Sequence, residues 1–314
     1  MGIYKMSITL RGAPKGGEAL EWCLEKGLLG MGYGVGEPQP KNVDEAYERA
    51  KEQYGKNKRD FGRLETFITR LSSEDYVWLY SSDGKAYYCC KVTGKPDYKT
   101  DKDAEEHGIC FCRPAEWRYV PEEFVPGCVK RAVRGKLQLI KKAENLTDHI
   151  KDLFDKAEEL ADRTNEWASP SEVAEYLGKE QGSREFFNLV DSDELEDIVC
   201  IRLQCEGWRI LKSSCYKSNP HFECLLQRQE NGRTQIAGLQ VKAGESIHLP
   251  DFEGLAQRYR VYLFSTGDPP YVGATENPNI VRMQQEEVLD FATMHPEEFP
   301  RSVRLKANLA LARR

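Results

Sequence analysis

The chain has 314 residues, of which 40% are hydrophobic and 31% are charged, and its formal net charge is −6. This composition excludes collagen-like, low-complexity and disordered chains, and the length predicts two globular domains. No stretch approaches the roughly 18 consecutive apolar residues of a membrane-spanning helix, and residues 1–11 lack the features of a signal peptide. We therefore expect a cytoplasmic protein that is not exported.

The ten cysteines include no pair with the C-x-x-C spacing of a zinc site. Cys89 and Cys90 are neighbours, whereas Cys200 and Cys224 lie inside apolar runs. We interpret the cysteines as buried, reduced thiols of a cytoplasmic protein.

Basic residues are concentrated in two segments, although the net charge argues against a surface that binds nucleic acid everywhere. The segment from Lys130 to Lys142 contains no acidic residue, and Lys130, Arg131 and Arg134 are candidate phosphate contacts. The alternative for this segment is an ordinary solvated face. A second candidate stripe lies near the C-terminus and consists of Arg301, Arg304, Lys306, Arg313 and Arg314.

The first part of the chain is predicted to be a small α+β unit in which strands predominate. Asp83-Gly84, between two aromatic-rich segments, is a strong hairpin signal. The predicted helices cover residues 19–26 and 43–54, and the predicted strands cover residues 28–33, 76–80, 86–93, 108–112 and 138–140.

A helical connector is predicted next. Apolar residues at helical spacing over 146–161 indicate one amphipathic helix, and Ser169-Pro170-Ser171 indicates the start of a second. The predicted division is therefore a domain at 1–143, a connector at 144–190 and a domain at 191–314.

The last part of the chain is predicted to form a mixed sheet covered by helices. Ser192 is expected to cap the first helix, and Asn231-Gly232 is expected to turn a hairpin. The predicted strands cover residues 208–211, 222–226, 235–241, 261–264 and 280–283, and the later helices cover 252–259 and 286–294.

The predicted hairpin carries a set of residues suited to phosphodiester hydrolysis with a divalent metal. Glu223 lies on the first strand, while Gln240 and Lys242 are two residues apart on the second and therefore point to the same face. The reaction needs hard oxygen ligands for Mg²⁺ and a cation that orients water and balances negative charge. A carboxylate, an amide oxygen and an ammonium supply those groups.

The segment from Asp191 onward resembles the PD-(D/E)xK nucleases, and among them the Mrr-like restriction endonucleases. The matching segments are Glu194 to Val199, the Gly207-Trp208 step, and residues 222–226, 238–242 and 261–264. The resemblance implies an α/β nuclease domain in which Glu223 and Gln240 bind Mg²⁺ or Mn²⁺ and Lys242 polarises water. It also implies that Glu194 or Glu196 lends a further carboxylate.

The sequence departs from the family at Glu223, where Asp is usual. The longer Glu side chain still offers oxygen ligands but shifts the position of the metal. The departure therefore bears on the expected catalytic activity more than on the expected fold. The alternative interpretation is that Gln-x-Lys is simply one face of a surface strand.

The first part of the chain resembles the EVE-like branch of the PUA-like superfamily, small β-barrels that include readers of modified bases. The resemblance rests on the order of short aromatic and glycine-containing segments between residues 22 and 117. A reader that flips a base out of DNA needs aromatic faces on which the base stacks. The candidates are Trp22, Tyr33, Trp78, Tyr98 and Trp117, and core packing is the alternative role for each.

Three functions follow as hypotheses. The first is a modification-dependent restriction endonuclease for phage defence, which binds DNA carrying modified bases, cuts it with Mg²⁺ and acts as a homodimer. The second is a nucleic-acid binding protein whose nuclease-like domain has lost its chemistry. The third is a nuclease directed at RNA.

Overall fold

A computed structural model describes residues 1–6, 16–56, 58–81, 85–132, 137–157, 170–178, 180–215 and 221–311. The chain divides into two compact units. The first contains Met1–Val125 and Ala132–Asn165, and the second contains Pro126–Arg131 and Glu166–Arg314. Both units combine helices with sheets, so the α+β class is confirmed. Within the described residues, the helices are too short or too polar to cross a membrane.

This division cuts through the predicted connector, which does not form a body of its own. Its first half groups with the first unit and its second half with the second, while Pro126–Arg131 leaves the predicted first domain for the second unit. The buried face of an amphipathic helix must pack against some core, and here each half packs against a different one. The functional division into reader, connector and nuclease stays a prediction.

The elements of the first unit alternate strands with short helices. They are β1 (Ile3–Met6), α1 (Gly16–Lys26), β2 (Leu28–Met31), α2 (Val43–Tyr54), α3 (Lys58–Glu65), a π-helical turn (Thr66–Arg70), β3 (Tyr76–Ser81), β4 (Ala86–Val92), β5 (Asp97–Tyr98), α4 (Lys102–Glu106), β6 (Phe111–Val120), a 3₁₀ turn (Glu122–Phe124), β7 (Gln138–Leu139), a second 3₁₀ turn (Lys141–Leu146) and α6 (Thr147–Asp155). The intervening helix α5 (Gly127–Arg131) belongs to the second unit.

These strands form one seven-stranded sheet in the order β2-β6-β4-β3-β1-β7, with β5 also paired to β6. Only β1 and β3 are parallel among the described pairs. The long strand β6 pairs with β2 through Pro114 and with β4 from Ala115 onward, which curls the sheet. Among the described strands β2 and β7 do not pair, and the sheet is a curled half-barrel. The predicted PUA-like β-barrel domain stays a prediction.

Strand β6 was predicted to end at Cys112 but runs to Val120. Pro114 is a residue type that sheets disfavour and suggests a strand end, although Ala115, Trp117 and Tyr119 beyond it alternate with Glu116 and Arg118 as in a strand. The predicted Asp83-Gly84 turn lies outside the described residues, but β3 and β4 are paired antiparallel as predicted.

A buried arginine ties the π-helical turn to this sheet. Arg113 on β6 is only 4% exposed, and its guanidinium donates to the carbonyls of Phe67 at 2.9 Å and Ile68 at 2.9 Å. A third donation reaches the Gly94 carbonyl at 3.3 Å. Backbone carbonyls therefore provide the hydrogen bonds that a buried guanidinium requires.

The second unit is built around a smaller mixed sheet. Its elements are α5 (Gly127–Arg131), α7 (Pro170–Leu177), α8 (Glu180–Leu189), α9 (Ser192–Cys205), β8 (Arg209–Leu211), a 3₁₀ turn (Lys212–Ser214), β9 (Cys224–Glu230), β10 (Arg233–Lys242), β11 (Ile247–His248), a 3₁₀ turn (Leu249–Phe252), β12 (Arg260–Ser265), β13 (Tyr271–Val272), β14 (Ile280–Arg282), α10 (Gln285–Met294), a 3₁₀ turn (Pro296–Glu298) and α11 (Arg301–Leu311).

The five-stranded sheet of the second unit has the order β14-β12-β10-β9-β8. Strands β10, β12 and β14 are parallel, whereas β8, β9 and β10 are antiparallel, so the sheet is mixed as predicted. Asn231 and Gly232 both have positive φ, at 51° and 75°, as a two-residue hairpin turn requires. Helix α9 packs on β10 through a buried stripe that includes Leu195, Ile198 and Val199.

Two predictions for this unit need correction. The cap of α9 is Asp191 and not Ser192, because the Asp191 backbone is extended and its side chain accepts from the Glu194 amide. The predicted helix over 252–259 is instead a 3₁₀ turn followed by irregular turns. Gly254 disfavours a helix there, and the Glu253 carboxylate accepts from Thr275 and Asn277 in another loop.

Candidate functional site

Strand pairing brings Glu223 and Gln240 side by side. The Glu223 amide donates to the Leu239 carbonyl at 2.8 Å, and Cys224 pairs with Leu239 in the register of β9 and β10. The strand β9 begins at Cys224, so Glu223 immediately precedes it, and its carboxylate lies beside the Gln240 side chain. Lys242 lies two residues beyond Gln240 on β10, so these two side chains share a face of the strand.

The Gln240 side chain engages Glu223 directly. Gln240 is 5% exposed, and its Nε2 donates to Glu223 Oε1 and to the Val241 carbonyl at 3.2 Å. The amide nitrogen, rather than the oxygen, thus faces the carboxylate. A turn of the amide about its last side-chain bond is needed before both oxygens can face one cation.

Helix α9 adds a second carboxylate, that of Glu196. Burial, the largest cause, and the nearby carboxylates of Glu223, Asp193 and Asp197 together raise the pKa of Glu196 to about 7, while Lys242 acts in the opposite direction. Glu196 is therefore within electrostatic reach of both Glu223 and Lys242. A carboxyl group with a pKa shifted by burial and charged neighbours marks a candidate site.

Glu194, the alternative carboxylate on this helix, is occupied elsewhere. It is 6% exposed, completes a capping box with Asp191, and its Oε2 lies 2.7 Å from Lys306 Nζ. Of the two acids that the resemblance offered, the structure brings Glu196 to the site and Glu194 to the helix start. The Asp191-x-x-Glu194 spacing is a capping-box signal that could have separated them in the sequence.

Lys242 ends β10 at the same edge of the sheet. Its backbone pairs with Ser265 on β12, and its carbonyl accepts from the Thr266 amide at 3.0 Å. Its side chain is half-buried, and within the described part of the chain Nζ has neither a hydrogen bond nor an ion pair. An ammonium within electrostatic reach of Glu196, without a committed partner among the described residues, is available to a substrate.

Sequence reasoning did not find a group of thiols that lies behind this site. Cys224 follows Glu223, and its thiol is hydrogen-bonded to those of Cys200 on α9 and Cys215 after β8. That bond to Cys224, together with burial, raises the pKa of Cys200, so Cys200 stays a neutral thiol. The three residues are too far apart in sequence to form a recognisable motif.

The donor set fits a hard divalent cation. Among the described residues no three carboxylate, imidazole or thiol groups converge closely enough to hold a metal. Glu223 and the Gln240 amide lie in contact, and Glu196 on α9 is within electrostatic reach of Glu223, so the available donors are two carboxylates and one neutral oxygen. Mg²⁺ keeps several waters and is commonly held by one or two carboxylates, so this set suits it better than it suits Zn²⁺.

Two of the candidate base-stacking residues of the first unit are buried in separate places. Trp22 is 6% exposed, and its Nε1 donates to Asp103 at 2.9 Å while its ring stacks on His107. Trp78 on β3 is fully buried. Stacking on a base would require Trp78 to leave the core.

The other three candidates pack on a different apolar cluster. Tyr33 is 8% exposed, whereas Tyr98 and Trp117 are half-buried at its rim. The Tyr98 hydroxyl accepts from the Val35 amide at 3.3 Å, and Trp117 Nε1 donates to the Leu28 carbonyl at 3.0 Å. The five candidates are therefore not brought into one pocket, and base reading by any of them stays a prediction.

The candidate phosphate contacts Lys130 and Arg131 are engaged within the second unit. Lys130 Nζ lies 2.8 Å from Asp191 Oδ2, and Arg131 donates to the Val190 carbonyl at 2.8 Å. Lys306 of the second stripe is likewise buried against Glu194. Binding of nucleic acid by these side chains stays a prediction, and Arg134, Arg313 and Arg314 lie outside the described residues.

Comparison with known proteins adds little to this site. Residues 4–127 match the model of a domain of unknown function, DUF8426, which covers less than half of the chain. No curated protein matches. A solved structure of the DNA modification-dependent restriction endonuclease AspBHI aligns with 91% of this chain and 80% of its own, at 10% identity and a TM-score of 0.25. At that TM-score the likeness carries no argument about fold or function.

Proposed function

We propose that the second unit is a divalent-metal-dependent nuclease that hydrolyses phosphodiester bonds in DNA. The observation that supports the proposal is the contact of Gln240 with Glu223, with Glu196 within electrostatic reach of Glu223 and of Lys242. Two carboxylates, an amide and an ammonium are the groups that this chemistry requires.

Each residue has a distinct role in the proposed reaction. Glu223 and Glu196 would hold the cation through carboxylate oxygens, with the Gln240 amide oxygen as a further ligand, and Gln240 orients the Glu223 carboxylate. Lys242 orients the attacking water and balances the charge that develops on the phosphate. The metal, when bound, supplies further stabilisation of that charge.

We propose that the first unit selects modified DNA, so that the protein acts in defence against phage. The support is the resemblance of its sequence to readers of modified bases, together with the exposed area that Tyr98 and Trp117 retain. A homodimer is proposed as the active form, because cutting both strands generally needs two active sites.

The test is digestion by the full chain with Mg²⁺, with Mn²⁺ and with excess chelator. Substrates are unmodified, 5-methylcytosine, hydroxymethylcytosine and glucosylated DNA, together with RNA. Metal-dependent cutting of modified DNA that Lys242→Met abolishes is the expected result. Binding without cutting would favour the inactive-scaffold hypothesis, and faster cutting of RNA would favour an RNA-directed nuclease.

A further inference from the structure

A buried ion pair ties the first turn of α9 to the last described helix of the chain. Lys306 on α11 lies 2.7 Å from Glu194, and the two side chains are 1% and 7% exposed. The same Glu194 oxygen, Oε2, accepts from the Asp191 amide at 2.7 Å. Within the described residues the other oxygen, Oε1, is buried without a hydrogen-bond partner. Lys306 is thus the cation that neutralises Glu194.

The helix start is held from a second direction by α5. Lys130 is paired with Asp191, and Arg131 donates to the carbonyls of Val190 at 2.8 Å and Phe187 at 3.1 Å. The backbones are so close that a Cβ on Gly127 would lie 1.9 Å from the Val190 oxygen. Contacts from α5 and α11 therefore determine where α9 begins.

Glu194 and Glu196 are separated by two positions and project from nearly opposite sides of α9. Lys306 contacts Glu194 and consequently does not touch the side of the helix on which Glu196 faces Glu223. Lys306 can therefore affect the site only indirectly, by fixing the position of the first turn of α9. A buried ion pair contributes little net stability to a fold, but it can favour one arrangement of the packed helices over others.

We infer that Lys306 is a positioning residue, which through its ion pair with Glu194 places the carboxylate of Glu196 for metal binding. The inference rests on the proposed function. It removes Lys306 from the basic C-terminal stripe, because the ammonium is buried and faces the interior of the unit. Residues that orient metal ligands commonly affect metal affinity when they are changed.

A double-mutant cycle on the full chain tests the inference, using Lys306→Met, Glu196→Gln and both together. Mn²⁺ affinity is measured by electron paramagnetic resonance of the free ion, and kcat and KM are measured on DNA. We expect Lys306→Met to weaken Mn²⁺ binding and lower kcat by about tenfold, with little change in KM. In the Glu196→Gln background it should have no further effect, because the residue through which it acts is gone.

Two further variants serve as controls for this test. Glu194→Gln with Lys306→Met leaves no unpaired charge buried and keeps a capping-box residue, so it should fold and still bind Mn²⁺ about tenfold more weakly. Arg202→Met breaks ion pairs with Glu206 and Glu287 near the other end of α9 and should leave Mn²⁺ affinity unchanged.

Three outcomes would overturn the inference. The first is additive effects in the cycle, and the second is unchanged Mn²⁺ affinity in folded Lys306→Met. The third is a wild-type chain that neither binds Mn²⁺ nor cleaves, which removes the proposed function as well. A wild type that binds and cleaves while the Lys306 variants match it removes only the role of Lys306.

Discussion

The Gln240 amide nitrogen donates a hydrogen bond to Glu223 across the pair of strands β10 and β9. The two side chains are about 17 residues apart in sequence but adjacent in space, because the Asn231-Gly232 turn fixes the register of the hairpin. A buried amide thus holds the carboxylate in place before any cation binds. Changes at either residue should therefore act on geometry and on charge together.

Replacing Glu223 with Gln should weaken Mg²⁺ binding by about tenfold or more, since a neutral oxygen replaces an anionic ligand of the same shape. Gln240 can still donate to the new amide oxygen, so the fold should persist. Calorimetric titration with Mg²⁺ measures the effect. Glu230→Gln, at the far end of β9, is the matched control. Equal affinity in the two variants would remove Glu223 from the metal site.

Lys242→Met should lower cleavage by about a thousandfold, because it removes the ammonium that stabilises negative charge in the transition state. The apolar part of the side chain is retained, so the thermal midpoint and DNA binding should change little. Single-turnover cleavage measures the loss. Lys212→Met removes an exposed lysine beyond β8 and should cleave like wild type. Activity of Lys242→Met within a few-fold of wild type would exclude a catalytic role.

Glu196→Gln should stabilise the metal-free protein at high pH. The folded-state pKa of about 7 lies above the ordinary value of 4.5, so the native state binds the proton more tightly. The stabilising contribution of Glu196 is then complete below 4.5 and is lost as pH rises through 7. Gln has no such dependence. The variant should gain about 2 kcal/mol over wild type near pH 8, after allowance for solvent screening.

Urea unfolding in excess chelator at about pH 5 and about pH 8 checks this prediction. The difference in unfolding free energy between the variant and wild type should be larger at the higher pH. A difference that is the same at both values would mean that Glu196 has no raised pKa in the folded protein.

Lys130→Ala and Arg131→Ala should each destabilise the second unit by about 2 kcal/mol, because they leave the half-buried Asp191 carboxylate and the buried Val190 carbonyl without their donors. DNA affinity per folded molecule should be nearly unchanged. Urea unfolding measures the first effect, and the salt dependence of DNA binding measures the second. A shallower salt dependence in either variant would instead support the phosphate contacts predicted from the sequence.

Local patterns in the sequence were sufficient for the hairpin and its polar residues. Two residues able to adopt positive φ predicted the hairpin turn, and alternation along β10 predicted that Gln240 and Lys242 share a face. The turn conformation and the face on which a strand side chain lies both depend on residues close together in the chain. The mixed sheet followed from the order of such segments.

Contacts between distant segments decided the rest. The capping box with Asp191 places Glu194 at the helix start, but its ion pair with Lys306, 112 residues away in sequence, has no local signal. The same holds for Lys130 and Arg131. The sequence indicates a basic stripe, whereas in the structure Lys130 pairs with Asp191 and Arg131 donates to the Val190 carbonyl. The sequence shows which segments carry charge, but only the tertiary structure determines which charged groups are buried and which partners they meet. A buried charged group cannot be solvated by water, so it requires a partner within the protein.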